Sequence, residues 1–325
     1  MIQAMRFSSR TVGLVSAIIT VLIWTGFIVI ARASASRGLL PLDIALARIV
    51  GASAVLLPWA WWLMRPARLR GEKVGSLLGL SPLPLAQTLR AGFFGGLLYA
   101  VLAYSGFFFA PAAHASVLMP GSLPLWTTLL AWLVLREKVP NSRVLGLGFI
   151  VLGDVLVGGV SLLRAFDGGD VWKGDVLFMS AACCWAAYSV TVRRYGLDAV
   201  RATMAITAFA FVVFVPVYGS LTMAGILPTH LPQVPWSEIV FQAAFQGGGS
   251  VVISGITFTQ MVRHFGPVRS TMITALVPGL SALGAVWFLG EPMHWNLLAG
   301  LALVTGGILF GVRQAKPAAA QGVKA

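Results

Sequence analysis

Ten apolar runs, each close to the length a helix needs to cross a bilayer, dominate this chain. They fall at approximately 11–31, 44–64, 89–109, 113–135, 143–161, 174–192, 202–224, 238–261, 267–289 and 294–312. A run of about 20 apolar residues spans the hydrocarbon as a helix, because only a helix satisfies its own backbone polar groups there. Of the 325 residues, 58% are hydrophobic and 10% charged, against about 25% charged in a soluble domain. The fold class is therefore all-α integral membrane protein. The links are short, except for 65–88, which is basic and carries Pro and Gly, and 225–237, which carries three prolines; no extramembrane domain has room to exist.

Charge sets the orientation. The net charge is +13, but the basic residues stand singly or in short clusters between spans. They form no basic helix or aromatic-interleaved patch of the kind that binds nucleic acid. With the N-terminus inside, only Arg32, Arg37, Arg164 and Lys173 fall outside, and Arg48 lies within a span. The remaining Lys and Arg, from Arg6 through Lys73, Arg136 and Arg193 to Lys316 and Lys324, collect on the inner side. The positive-inside rule then places both termini in the cytoplasm of a multi-pass inner (plasma) membrane protein. Ala33-Ser34-Ala35 resembles a cleavage site, but the 11–31 run is long for a signal peptide and suits a span. Trp59, Trp61 and Trp62 at the inner end of the second span fit an aromatic belt.

The two halves resemble each other. Trp24-Thr25-Gly26-Phe27 lies against Trp185-Ala186-Ala187-Tyr188, each followed by an arginine at equal distance, Arg32 and Arg193. Pro120-Gly121 matches Pro278-Gly279, and Glu137 with Gly146 and Gly153 matches Glu291 with Gly300 and Gly307. This divides the chain into a first five-helix repeat, 1–165, and a second, 166–325. An odd number of spans per repeat inverts the second half, which is the architecture of alternating access around a central cavity. Proline breaks at corresponding positions of both halves point to the binding site in such folds.

The order W-x-x-F/Y, Leu46-Ala47-Arg48, proline in the fourth and ninth spans, then L-x-E and a Gly-rich closing helix resembles the drug/metabolite transporter superfamily, in its EamA-type ten-helix branch. The resemblance covers almost the whole chain and extends to the bacterial exporters of amino acids and related metabolites. It implies two inverted five-helix repeats, with spans 1, 3, 4, 6, 8 and 9 around the cavity and spans 5 and 10 packed outside them.

The candidate substrate-binding residues are the amphipathic aromatics and amides at the predicted interior, with the two prolines: Trp24, Tyr99, Tyr104, His114, Pro120, Trp126, Trp185, Tyr188, Gln242, Gln246, Ser250 and Pro278. Gln242, Gln246 and Ser250 share one helix face by their four-residue spacing, and an unpaired amide is too costly to face lipid. His114 at the outer mouth suits a proton-linked step, or serves as a satisfied interfacial residue. Arg48 and Asp154 are charges inside spans; a structural pair between them and a substrate or proton role are both open. Glu137 and Glu291 cap helices or pair with neighbouring cations, Glu137 with Arg136 or Lys138. Cys183 and Cys184 are adjacent, so they make neither a disulfide framework nor a metal site.

The function expected is a secondary transporter exporting small amphipathic metabolites, aromatic or other neutral amino acids first among them. No G-x-x-x-x-G-K-S/T loop or H-E-x-x-H pair is present, so no cofactor or metal is expected and the chain is not read as an enzyme. An intramembrane enzyme and a channel are the alternatives. A monomer is the default, because ten helices enclose a cavity alone; the expected partners are the small solute and the lipid bilayer.

Overall fold

The structure, a computed structural model, describes residues 9–72 and 75–313; Arg6, Lys73, Lys316 and Lys324 lie outside the described residues. The chain is helical. We number the long elements α1 (Ser9–Ser34), α2 (Pro41–Leu69), α3 (Leu85–Phe109), α4 (Ala112–Leu135), α5 (Asn141–Arg164), α6 (Val171–Arg194), α7 (Ala199–Met223), α8 (236–274), α9 (Leu276–Leu289) and α10 (Trp295–Arg313). Among the described residues eight helices are long and apolar enough to cross a membrane, with Trp236–Met261 as that part of α8, while α9 and α10 are apolar but shorter. Apolar side chains such as Leu22, Leu152, Val155 and Phe288 remain exposed on the outer faces, which suits a surface solvated by lipid.

The sequence suggests a link near 262–266, but the backbone stays helical from Ser254 to Thr274 and breaks only at Ala275. Proline chemistry explains the shift. A proline ring collides with the carbonyl four residues earlier and offers it no N–H. Four residues before Pro278 is Thr274, where the helix stops. Four residues before Pro120 is Ser116, where regular α-helix gives way to a π-helical segment, Val117–Gly121. The two breaks thus share one cause and one register.

Glycine fixes how the helices approach. A Cβ added to Gly146 would sit 2.7 Å from the carbonyl oxygen of Gly307, and one on Gly153 at 2.7 Å from that of Gly300. The helices α5 and α10 therefore cross backbone to backbone, antiparallel, as small residues permit. On the other side Gly51 meets the Ala243 carbonyl, and a Cβ on Gly247 would lie 2.7 Å from the Arg48 carbonyl, so α8 is pressed onto α2. Both α3 and α8 carry a π-helical stretch, at Gly92–Leu98 and Ala243–Ile253.

The bundle has two distinct ends. At the basic end, Arg193 pairs with Glu137 at 2.8 Å, and Arg90 donates to the Tyr195 hydroxyl. The Arg68 guanidinium lies 3.6 Å from the Trp61 ring centroid, so that tryptophan belt is also a cation–π contact. At the opposite end, Asp43 is buried and accepts from Tyr218, Thr229 and the His230 and Leu40 N–H groups, tying α2 to α7 and its following loop. Arg37 and Glu238 pair there as well, at 3.5 Å.

Candidate functional site

Three helices bring a polar cluster together inside the apolar bundle. Tyr104 of α3 donates to Gln246 Oε1 of α8 at 3.0 Å, and both side chains are buried. Arg48 of α2 joins them: its Nη1 lies 3.5 Å from the Tyr104 hydroxyl and 3.4 Å from the Gln246 carbonyl. Its guanidinium also lies 5.6 Å from the centroid of Phe27. The local sequence explains the arrangement. Gly247 lets α8 touch the α2 backbone at Arg48 itself, and that contact carries the Gln246 carbonyl into reach of the guanidinium.

The electrostatics are unusual. Arg48 is only 9% exposed, yet no carboxylate pairs with it among the described residues. Its two polar contacts are long for hydrogen bonds. Asp154, the counter-charge the sequence offers, has both oxygens without a partner among the described residues, so the Arg48–Asp154 pair does not form. Gln246 Nε2, Ser250 Oγ and Thr25 Oγ1 are also buried without partners among the described residues. Buried polar groups are ordinarily satisfied, and Gln246, whose Nε2 is one of these unpaired donors, also gives its carbonyl to the uncompensated Arg48.

The other candidates fall into groups. Tyr99, Trp185 and Tyr188 form an aromatic chain, with ring centroids 4.9 and 5.1 Å apart, and the Tyr99 hydroxyl lies 3.9 Å from Met119 Sδ beside Pro120. Trp24 stacks on Phe258 at 5.3 Å, and Trp126 Nε1 is buried without a partner. Pro278 lies where α9 meets α4, through the Ser116–Ser281 hydroxyl contact of 2.9 Å.

Two candidates sit in end clasps. Gln242 donates to Ser34 Oγ at 2.6 Å and to Glu238 Oε1 at 2.7 Å, holding α8 to α1. His114 Nδ1 lies 2.8 Å from Asp175 Oδ1, and Ser161 Oγ donates to Asp175 Oδ2. Arg48 as a cluster member, and Asp175 and Ser161 as partners of His114, were not among the residues the sequence singled out for binding. Only the cost of a charge inside a span pointed to Arg48; spacing gave no signal for the other two.

Two ion pairs close the ends of the bundle. The Glu137 side chain reaches Arg193 of α6 across the bundle, not Arg136 or Lys138. Its counterpart Glu291 accepts from Arg32 Nε at 2.9 Å and from the Ala112 N–H at 2.9 Å, while Arg32 Nη1 donates to the Phe107 carbonyl at 2.6 Å. Each glutamate follows a residue with positive φ, Arg136 at 56° and Gly290 at 66°. Each donates its N–H to a carbonyl six residues back, Ala131 or Ala285, the closure that ends a helix and turns the chain aside. The Glu291 latch is the more buried, with side-chain exposures of 30% and 11% against 64% and 35% for Arg193 and Glu137.

A cavity of about 590 Å³ lies away from these groups, at the basic end, lined by residues including Met64, Arg70, Pro84 and Arg201. Of its charges, Arg70 and Glu72 pair with each other at 2.6 Å, and Arg201 is the remaining cation in the lining. The interior cluster, with its unpaired groups, is the stronger candidate. Among the described residues no His, Cys, Asp and Glu side chains gather as a metal site.

The EamA-like transporter family matches residues 11–159 and again 172–313. The uncharacterized transporter YyaM of Bacillus subtilis is 25% identical over 64% of this chain and 68% of its own. An uncharacterized transporter of Archaeoglobus fulgidus is 23% identical over 91% and 96%. A WAT1-related protein of Arabidopsis thaliana is 23% identical over 88% and 78%. A crystal structure at 22% identity shares the fold with a TM-score of 0.58, over 98% of this chain and all of its own. With nearly its whole length matched, this multi-pass membrane protein belongs to the EamA-like transporter family.

Proposed function

We propose that the chain is a secondary transporter that exports neutral, above all aromatic, amino acids across the inner membrane by alternating access. The observation that carries this reading is Arg48, a buried guanidinium without a carboxylate partner among the described residues. A solute carboxylate supplies the missing counter-charge. Charge-assisted hydrogen bonds of this kind contribute roughly 1.5–3 kcal/mol. Gln246 Nε2 and Ser250 Oγ offer further polar contacts, and Trp24, Phe27, Tyr99 and Trp185 offer flat apolar surface for the side chain.

The moving parts are two inverted halves, 1–165 and 166–325, with ten spans in all. Support comes from the double family match and from contacts that recur on exchanging the halves. Thus α1 packs on α8 and α9 as α6 packs on α3 and α4. The Arg32–Glu291 and Arg193–Glu137 latches are likewise exchange partners at opposite ends. Opening one latch while the other holds gives the buried cluster access to one side at a time. The charge asymmetry favours a cytoplasmic basic end with both termini there, and export follows from the resemblance to metabolite exporters.

A hydrolase reading gains no support from the Ser161–Asp175–His114 group. In a serine triad the histidine stands between serine and acid to take the proton, whereas here the acid is in the middle. The test of the proposed substrate class is a thermal shift of the purified protein with phenylalanine and with phenylalaninamide. Only a bound ligand raises the melting temperature. The acid is expected to raise it and the amide to have little effect; equal shifts for both would remove Arg48 from recognition.

A further inference from the structure

Asp154 has no place in the cluster above. It lies in α5, about 20 Å of helix from Asn141 and about 15 Å from Arg164 at 1.5 Å per residue, hence deep in a hydrocarbon core about 30 Å thick. It shares the buried face of α5 with Ile150, Val157 and Ser161, is 7% exposed, and both its oxygens lack a partner among the described residues. An ionised carboxylate held so, without cation or donor, would carry a desolvation cost of several kcal/mol. A bound proton removes it. Ionisable groups inside spans with no structural partner mark ion or proton pathways.

The same helix face leads to the Glu291 end. Gly158 lies one turn along it; a Cβ there would come no closer than 4.0 Å to Asp175 Oδ2 or Leu118 Cδ2. The missing side chain leaves about a methyl group's space beside Asp175. Next comes Ser161, which donates to Asp175, and Asp175 meets His114 Nδ1 at 2.8 Å. His114 is two residues from Ala112, whose N–H the Glu291 latch holds. Ser161 and Asp154 are about 10 Å apart along the helix, so a proton path between them requires water to enter beside Gly158.

The titratable groups facing this path are few. Between Trp295 and Gly311, α10 has none; α6 presents Asp175 and α4 presents His114. Lys173, near Asp175 in sequence, is held by Asp170 at 2.6 Å.

We propose that Asp154 is a membrane-embedded proton-binding site, loaded from the Glu291 end through His114, Asp175 and Ser161, that couples solute movement to the proton gradient. One proton from water at that end converts the Asp154 carboxylate to the acid, and its release restores the carboxylate; no other bond changes. The coupling rests on the transporter reading, whereas the proton binding does not.

Two measurements on the full chain test it. The first is labelling by dicyclohexylcarbodiimide, an apolar reagent for protonated carboxyl groups in membranes. Mass spectrometry is expected to find the label on Asp154 at neutral pH and to lose it as pH rises, with Gly158→Ala unchanged and Gly158→Leu responding more slowly. No label at any pH, or a label independent of pH, would overturn proton exchange at this site.

The second is phenylalanine uptake into proteoliposomes. Asp154→Asn is expected to abolish accumulation driven by a pH gradient, by tenfold or more, while keeping exchange at equal pH. Gradient-driven accumulation intact in that variant would overturn the coupling and leave the transporter reading standing. Absence of phenylalanine movement in the unaltered protein would count against the transporter reading and so against coupling, while carbodiimide labelling still decides whether Asp154 takes up a proton.

Discussion

Replacing Arg48 by methionine lowers the affinity for phenylalanine by roughly ten- to a hundredfold and leaves the melting temperature unchanged or higher. The first effect follows from losing the counter-charge for the solute carboxylate, about 1.5–3 kcal/mol, where each 1.4 kcal/mol is tenfold in affinity. The second follows from what surrounds the guanidinium. No carboxylate is left stranded by its removal, and Tyr104 keeps its hydrogen bond to Gln246 Oε1. The losses are two long contacts and a cation–π approach to Phe27 worth about 0.5–2 kcal/mol. Against them stands relief from burying an uncompensated charge, and apolar replacement of buried charges is often neutral or stabilising. Isothermal binding and a thermal melt on the same preparation check both parts. A melting temperature that falls with affinity unchanged would give Arg48 a purely structural task.

Removing the Glu291 carboxylate opens that end of the bundle. Glu291 holds Arg32 and the Ala112 N–H together, so one side chain ties α9 to α1 and to the start of α4. Its burial lies between an exposed pair, worth under about 1 kcal/mol, and a fully buried one, whose rupture costs about 3–5 kcal/mol. About 2–3 kcal/mol is the intermediate expectation. Glu137 and Arg193 are the more exposed pair, so Glu137→Ala has a small effect. The reporter is Ser116→Cys in a background lacking Cys183 and Cys184, because Ser116 lies buried under the latch against Ser281. Labelling by an impermeant maleimide from the Glu291 side is expected to quicken at least tenfold in Glu291→Ala and hardly at all in Glu137→Ala. Equal rates in both would mean that the latch does not set the resting conformation.

Much of the architecture is readable from the chain because lipid leaves few options. Apolar length marks the eight helices that are long enough to cross a membrane among the described residues, and the prolines at 120 and 278 account for the two breaks, since each acts on the carbonyl four positions earlier. The glycines matched across the halves give the α5–α10 crossing once Gly146 is seen against Gly307 and Gly153 against Gly300. Arg263, His264 and Gly266 read as a link after span eight, whereas the backbone there remains helical. Side-chain partners were far less legible. Tyr104 and Gln246 were each singled out, but nothing in their positions says they meet, 142 residues apart. Glu137 has basic neighbours on both sides in sequence and pairs with neither, because a helix-terminating turn swings it toward α6. Arg48 and Asp154 stand out as costly charges, yet spacing does not reveal that neither has a counter-charge among the described residues.

Counterflow tests the central claim most directly. Proteoliposomes holding the full chain are loaded with unlabelled phenylalanine, diluted, and given a trace of labelled phenylalanine outside. Alternating access predicts a transient accumulation of label above its equilibrium level, absent from liposomes carrying Arg48→Met. Label that enters no faster with preloaded solute than without it would contradict a carrier whose site faces one side at a time.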